Sequence, residues 1–201
     1  MSESSQPEAV DERIACQQIL AEDRSVFSVQ RLLLPAAVSG SISSGELLRF
    51  YLDYVARFTL GMIRVAESAA GIEFNLAAGG LVLIRFAAPL HELGGDTEKT
   101  ILQISGGFLV QPKECDRGQL EFIVEKMAAG DRLTLQLADF CPLLLGSGKP
   151  SLLRKWLYRL TQAYIHKVIT IRFLRLVYRQ LTGRKPPEKT VMIVVRKGEN
   201  I

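Results

Sequence analysis

The sequence predicts an α+β domain in which a curved antiparallel sheet of about six to seven strands is closed by one long C-terminal helix. Two patterns lead to this fold class. Between residues 60 and 137, apolar residues recur with a period of two and turn residues separate the runs about every ten positions, which is typical of an antiparallel meander. From Ser151 to Thr182 the chain contains neither glycine nor proline. At about 1.5 Å per residue, an unbroken helix of that length would cross a whole sheet.

The 201 residues suit a single domain, because one core can grow to about 250 residues before it splits. We divide the chain into an N-terminal extension (1–24), a main domain (25–183) and a basic tail (184–201). The extension is expected to hold a short helix over Ala9–Glu22, since Val10 and Ile14 share one helical face. In the tail, Thr190–Arg196 has the composition of a short edge strand.

The main domain is predicted to open with a strand and a helix. The strand starts at Ser25 and ends at Pro35, in a stretch rich in β-branched and apolar residues. Ser43 and Glu46 have the spacing of a capping box, in which each side chain satisfies a free backbone N–H of the other. A helix should therefore begin there and bury the apolar face that follows at three- and four-residue steps.

Six meander strands follow, and they are expected at Leu60–Glu67, Gly71–Ala77, Gly80–Ala87, Thr100–Val110, Gln119–Lys126 and Arg132–Ala138. Leu120 and Phe122 alternate with Glu121, so one face of the sheet should be wet. The pair Gly106-Gly107 lies inside a strand-like run and predicts a bulge or a sharp bend.

The segment from Pro89 to Asp96 is interpreted as a loop that ends in a glycine turn. It contains His91 and two acids but offers only one nitrogen ligand, so the sequence predicts no metal site and no cofactor. The three cysteines are widely spaced and odd in number, and we expect all of them to be reduced.

Charge is distributed unevenly along the chain. The net charge is +4, made up of +11 in residues 149–201 and −7 in the remainder. Three partners could balance the basic helix: the acids of this chain, an anionic lipid surface or ligand head group, or a nucleic acid. Nucleic acid is disfavoured, because no recognised binding motif is present. Arg172, Arg175 and Arg179 are the candidate residues for an anionic surface, and charges within the helix exclude a membrane span.

The element order and four stretches of sequence resemble the START-like superfamily, also called the Bet v 1, polyketide-cyclase or helix-grip fold. The stretches are SGELLRFYLDYVARF, GGLVLIRF, GQLEFIVEKM and SLLRKWLYRLTQAYIHKVITIRFLRLV. The resemblance implies a sheet wrapped around the long helix, with an apolar cavity between them for lipids, sterols or aromatic polyketides. It implies no shared catalytic residue.

One stripe of the long helix is the candidate ligand-binding surface. Aromatic and apolar residues fall on this stripe at 100° per residue, together with one lysine that would need an acid or an anionic ligand if buried. The candidates are Trp156, Leu160, Tyr164, Lys167, Val168, Ile171 and Tyr178. The alternative is that the stripe only packs against the sheet.

These observations predict a non-catalytic module that binds an apolar or amphiphilic small molecule. The basic helix would allow this module to work at an anionic membrane surface. One alternative is a cofactor-free cyclase or aromatase in which Asp139, His166, Tyr164 or Arg85 transfers protons. Another is a structural or assembly factor with a filled core. The acidic N-terminus lacks the features of a secretory signal, so we expect a cytoplasmic protein, at most peripheral to the inner face of a membrane. The oligomeric state is not predicted.

Overall fold

The computed structural model describes residues 13–111, 117–143 and 164–201. These residues form two α-helices and eleven strands of one sheet, so the fold is α+β with a helix near the C-terminus. The helices are α1 (Ser44–Phe58) and α2 (Tyr164–Thr182). The strands in chain order are β1 (Arg13–Leu20), β2 (Val26–Leu33), β3 (Ile63–Ser68), β4 (Gly71–Leu76), β5 (Val82–Ala87), β6 (Leu90–Gly94), β7 (Thr97–Gly106), β8 (Gln119–Met127), β9 (Gly130–Phe140), β10 (Lys189–Met192) and β11 (Glu199–Asn200).

The sheet is larger than expected and is mixed rather than purely antiparallel. Its order is β10-β1-β2-β9-β8-β7-β5-β4-β3, with β11 paired to β1 and β6 paired to β7. Every pair is antiparallel except β1 with β10. The prediction of six to seven strands is therefore too low, because β1, β6 and β11 were not recognised as strands.

Helix α1 begins where the capping box predicts. The hydroxyl of Ser43 accepts the backbone N–H of Glu46 at 3.2 Å, and the Glu46 carboxylate accepts the backbone N–H of Ser43 at 2.9 Å. The predicted apolar face is buried, including Leu47, Tyr51 and Val55. The Tyr51 ring packs edge-on against Phe122 of β8 at 5.3 Å and Phe173 of α2 at 5.2 Å, and so joins α1 to both of its neighbours.

The predicted helix over Ala9–Glu22 is wrong, because residues 13–20 form strand β1. Residues 14–20 of this strand are mostly buried, since β1 is covered on both faces. A strand buried on both faces shows no alternation, and its apolar residues can then match a helical spacing by chance. Gln17 and Gln18 are polar yet only 3% and 6% exposed.

The predicted loop around His91 is also wrong, because Leu90–Gly94 is strand β6, paired with the first half of β7. All five residues of β6 are exposed. A strand with two wet faces carries no hydrophobic period, which explains why the sequence pattern missed it. The glycine turn that follows is confirmed, with Gly95 at φ +57°.

The tail forms part of the sheet and covers its outer face. The expected edge strand is confirmed as β10, which runs beside β1. Beyond it, the side-chain carbonyl of Gln17 accepts the backbone N–H groups of Val195 and Arg196 at 2.7 and 2.9 Å. The Arg196 guanidinium lies over the Phe27 ring, 4.4 Å from its centroid. The basic tail thus closes the second, smaller apolar cluster of the protein.

The predicted bend at Gly106-Gly107 is confirmed. Gly106 and Gly107 have φ values of +149° and +119°, and the β5–β7 pairing shifts register opposite them. A Cβ on Gly107 would lie 2.5 Å from the Leu83 carbonyl oxygen, closer than real contacts allow. Glycine is therefore required where the end of β7 runs close beside β5.

Helix α2 ends as predicted at Gly183, which has φ +65°. Neither helix in the described part of the chain has the length and hydropathy needed to cross a bilayer. Cys16 is free and buried. Cys141 is disulfide-bonded, so the prediction that all three cysteines are reduced is wrong, and Cys115 lies outside the described residues.

Candidate functional site

A cavity of about 270 Å³ lies between the inner face of the sheet and the two helices. Its described lining comes from both helices, from seven strands and from the segment after β7. Eleven of these fourteen residues are aliphatic or aromatic without a polar side-chain atom. The lining consists of Gln18, Tyr51, Val55, Ile63, Phe74, Ile84, Phe86, Ile104, Leu109, Leu120, Leu137, Phe140, His166 and Ile169.

Strand registry explains why the sheet presents one apolar wall to the cavity. Gln18 of β1 is opposite Ser28 of β2, which is opposite Leu137 of β9, and Leu137 is opposite Leu120 of β8. Directly opposed residues point to the same face of a sheet. The alternation seen in β8 and β9 therefore turns their leucines inward, while the bend at Gly107 carries Leu109 back toward the same space.

Three polar side chains interrupt this wall: Gln18, Tyr51 and His166. The Tyr51 hydroxyl is hydrogen-bonded to the side chain of Thr170, and burial raises the pKa of Tyr51 well above its usual value. The Thr170 hydroxyl in turn donates to the backbone carbonyl of His166 at 2.9 Å. Tyr51 therefore stays protonated at neutral pH, and its ring is fixed by packing on two sides.

His166 lies in the first described turn of α2 and faces the cavity. The weakly polar surroundings lower its pKa from 6.5 to about 4, and burial is the sole cause. No hydrogen bond joins its ring to another group in the described part of the chain. The imidazole is thus neutral at physiological pH and can donate or accept one hydrogen bond toward the cavity. At 100° per residue, His166 lies roughly opposite the stripe of α2 that the sequence analysis chose for ligand contact, so that pattern did not identify it as a cavity residue.

The predicted ligand stripe of α2 is only partly described. Lys167 and Val168 are half-buried, and Ile171 and Tyr178 are buried in the main core. None of these four lines the cavity, to which α2 contributes His166 and Ile169. Trp156, Leu160 and the side chain of Tyr164 lie outside the described residues. Contact of the stripe with a ligand stays a prediction.

The three arginines proposed for an anionic surface differ in their surroundings. Arg172 is exposed, and its guanidinium lies 5.7 Å from the centroid of the Phe58 ring. Arg175 donates to the carbonyl of Pro187 at 2.9 Å and to that of Glu188, so it holds the tail against α2. Arg179 is exposed in the last turn of the helix.

The other candidate groups for proton transfer face away from the cavity. The Asp139 carboxylate pairs with Arg196 at 3.0 Å on the tail side of the sheet. Arg85 pairs with Glu73 at 2.7 Å on the exposed face of β4 and β5. His91 lies 2.9 Å from the Thr100 hydroxyl. Within residues 13–111, 117–143 and 164–201, no three His, Cys, Asp or Glu side chains converge in a way that could hold a metal.

The sequence reasoning missed that most of the cavity wall comes from α1 and the sheet. Tyr51 and Val55 were recognised only as a buried helical face. Ile84 and Phe86 of β5 both face the cavity and are separated by one residue that points outward. This alternation is visible in the sequence and could have identified them as wall residues. Their position beside a void rather than a filled core has no sequence signal.

The comparisons with known proteins add little to this geometry. No family model matches the chain, and no curated protein matches it. One similar solved structure is the crystal structure of CalU16 from Micromonospora echinospora, which is 11% identical, covers 85% of this chain and 96% of its own, and superposes with a TM-score of 0.29. A similarity at that TM-score carries no argument about family or function, so the site is interpreted from its own residues.

Proposed function

We propose that this protein is a START-like, helix-grip binding module that holds a small apolar or amphiphilic molecule in the cavity between sheet and helices. The observation that carries the proposal is the cavity of about 270 Å³ with its largely apolar wall and three polar groups. Ligand sites generally combine an apolar lining with a few polar groups that orient the ligand. Tyr51, His166 and Gln18 would fix the orientation of a hydroxyl or carbonyl group.

The size of the cavity restricts the ligand. Sites for small molecules have volumes of about 300 to 1,000 Å³, so this cavity of about 270 Å³ lies just below that range. A single aromatic metabolite or a short acyl chain fits this space better than a whole diacyl lipid does. The neutral state of His166 favours a ligand whose buried part is uncharged, because a charge buried without a partner is costly.

Native mass spectrometry followed by organic extraction tests the proposal. Wild-type protein should carry a reproducible adduct that extracts as an aromatic or lipid-like compound. Ile84→Trp places a larger side chain in the cavity and should abolish the adduct while far-UV circular dichroism remains unchanged. Leu83→Trp is the matched control, because neighbouring residues of a strand point to opposite faces, and this variant should keep the adduct. A ligand-free wild-type protein, or equal adducts in both variants, would contradict the proposal.

An enzyme is the second candidate, and one observation favours it. His166 is an ionisable group that faces a largely apolar cavity without a hydrogen-bond partner in the described part of the chain. Catalytic bases are commonly found in such surroundings. Its lowered pKa, about 4, makes it a weak base at neutral pH, which is why binding is the leading proposal. Conversion of the extracted compound by the wild type but not by His166→Leu would establish catalysis.

A structural or assembly factor is less well supported. A protein with that function would be expected to have a filled core, whereas the described residues line a cavity. An anionic membrane surface remains part of the proposal, since Arg172 and Arg179 are exposed on α2.

A further inference from the structure

Four exposed apolar side chains lie at one end of the molecule, and we call them the apolar tip. Leu60 and Met62 follow α1, Leu81 precedes β5, and Phe108 follows β7. Their exposed fractions are 91%, 61%, 42% and 55%. Single exposed apolar residues are common, but a group of four at one end marks an interaction surface.

Backbone hydrogen bonds bring the members of the apolar tip together. The carbonyl of Met62 accepts the N–H of Ala77 at 2.8 Å, and that of Leu81 accepts the N–H of Leu76 at 2.8 Å. The N–H of Phe108 donates to the carbonyl of Val82 at 2.9 Å. The tip therefore spans the ends of β3, β4, β5 and the segment after β7, and adjacent segments of a sheet are about 4.8 Å apart.

The apolar tip is continuous with the wall of the cavity. Met62 directly precedes Ile63, and Phe108 directly precedes Leu109, and both of these following residues line the cavity. Ile84 of the same wall lies three residues after Leu81. The tip and this part of the cavity wall therefore lie at the same end of the sheet, although neighbouring residues of a strand point to opposite faces.

Leu60 combines an unfavourable backbone conformation with an apolar side chain that is exposed to solvent. Its φ of +53° is in the left-handed region, which bulky residues avoid. The N–H of Leu60 donates to the Arg57 carbonyl at 3.0 Å and that of Gly61 to the Ala56 carbonyl at 2.9 Å, a Schellman motif whose left-handed position is usually glycine. A strained, 91% exposed leucine indicates that its side chain is used outside the protein.

The charged residues nearest to the apolar tip in the sequence are positive. Residues 54–66, 74–90 and 101–111 contain no aspartate or glutamate. Arg57 and Arg64 are exposed beside the tip, and Arg172 reaches the same end of α1 through its position over the Phe58 ring. Exposed apolar side chains ringed by arginines match the boundary of an anionic bilayer, where apolar groups enter the acyl layer and cations meet phosphate.

We propose that the apolar tip docks on the surface of an anionic lipid bilayer, with Leu60, Met62, Leu81 and Phe108 inserted at the acyl boundary and Arg57, Arg64 and Arg172 against lipid phosphates. The proposal deepens the membrane part of the proposed function and rests on it. It moves the contact from the length of α2 to the end of the sheet that adjoins the cavity.

Co-sedimentation with vesicles of phosphatidylcholine and phosphatidylserine tests this surface. The full-length wild type should bind these vesicles and bind pure phosphatidylcholine vesicles much more weakly. Leu60→Gly and Met62→Ser should each weaken binding by about tenfold, the loss expected when one large apolar side chain no longer inserts. Arg172→Gln should weaken it by about fivefold. Leu93→Ser and Arg184→Gln, at exposed positions outside the tip, are the matched controls and should bind as the wild type does.

The outcomes separate this proposal from the proposed function. A wild type that ignores anionic vesicles but keeps its extracted ligand overturns the apolar tip and leaves the binding module intact. Docking through the apolar tip is also contradicted if the wild type and both tip variants bind equally, or if only Arg179→Gln loses binding. Vesicle binding that depends on the tip in a protein without a cavity ligand supports the tip and contradicts the binding module. Leu60→Gly should keep the wild-type melting temperature or raise it, so its loss of binding would not reflect unfolding.

Discussion

The two ends of helix α1 differ in charge, in hydrogen bonding and in what they leave exposed. They lie about 22 Å apart, the length of a 15-residue helix. The N-terminal end, which we call the anchored end, is held by Ser43, Ser44, Glu98 and Asp131. The C-terminal end carries the apolar tip, with Arg57, Arg64 and Arg172 exposed near it. The contrast indicates that one end of α1 is built for stability and the other for contact with something outside the chain.

The anchored end satisfies its polar groups within the protein. The Glu98 carboxylate accepts the backbone N–H and the hydroxyl of Ser44 at 3.1 and 3.0 Å, where the helix dipole favours negative charge. The Ser44 hydroxyl is also 2.7 Å from that of Thr100. Leu93 is 84% exposed here, but it borders a cavity lined by Glu46, Asp96, Glu98 and Asp131. This acidic setting would repel the same bilayer that the apolar tip attracts, which makes Leu93 a suitable control.

Asp131→Ala should have the largest effect and should act at the anchored end alone. The Asp131 side chain is fully buried and accepts the Ser39 hydroxyl at 2.5 Å and the Gly40 N–H at 2.6 Å. Its removal deletes two hydrogen bonds accepted by a buried carboxylate and should lower the free energy of unfolding by about 3 kcal/mol. Chemical denaturation measures this change. Asp96→Ala is the control at an exposed position and should stay within about 0.5 kcal/mol of the wild type; equal losses would show that Asp131 is not an anchor.

Lowering the pH should reduce the stability of the protein through His166, which lies on the cavity side of α1. Its pKa is about 4 in the folded protein and 6.5 in the unfolded chain, so the unfolded chain binds the proton first as the pH falls. Stability is complete above pH 6.5 and should be lost between pH 6.5 and 4. Because His166 is only partly buried, we expect a loss of about 1 kcal/mol, which is less than the full shift in pKa would give.

His166→Leu should remove that part of the pH dependence, as measured by denaturation at several pH values. The comparison of the two proteins cancels titrations that they share, such as that of Glu121, whose pKa burial raises. At the anchored end, hydrogen bonds from Ser43 lower the pKa of Glu46 below 4.5, so its contribution is lost only below that pH. Identical pH profiles would show that His166 is solvated.

Leu60→Gly should give the smallest change in stability and should act at the apolar tip alone. Glycine adopts the left-handed conformation without strain but loses more chain entropy on folding, so the net gain should be about 0.5 kcal/mol. Thermal and chemical unfolding measure it. Met62→Gly is the control, since no strain is relieved there, and it should destabilise. A loss of stability in Leu60→Gly would show that Leu60 packs usefully within the chain.

Local features were predictable where a short-range interaction decides the structure. The capping box at Ser43 needs only residues three positions apart, and Gly183 ends α2 because glycine tolerates positive φ. The alternation of β8 and β9 also survives in the structure. Strands β1 and β6 were missed because burial on both faces and exposure on both faces each remove the period on which strand prediction depends.

The candidate site was predictable in kind but not in composition. The stripe of α2 led us to Ile171 and Tyr178, which are buried in the core, while the cavity takes His166 and Ile169 from that helix. A rotation of α2 about its axis by the angle of one or two residues decides which of its side chains face the cavity. That rotation depends on how α1, α2 and the sheet pack together.

The sequence by itself determined the α+β class, the start of α1, the end of α2, the bend at Gly107 and the uneven charge, because each follows from residues close in the chain or from composition. Only the tertiary structure decided that β1 joins the sheet, that Arg175 binds the tail, that His166 faces a cavity and that Leu60 is exposed at a basic end. These outcomes depend on which distant residues become neighbours, and burial, pKa and surface exposure have no value until those neighbours are in place.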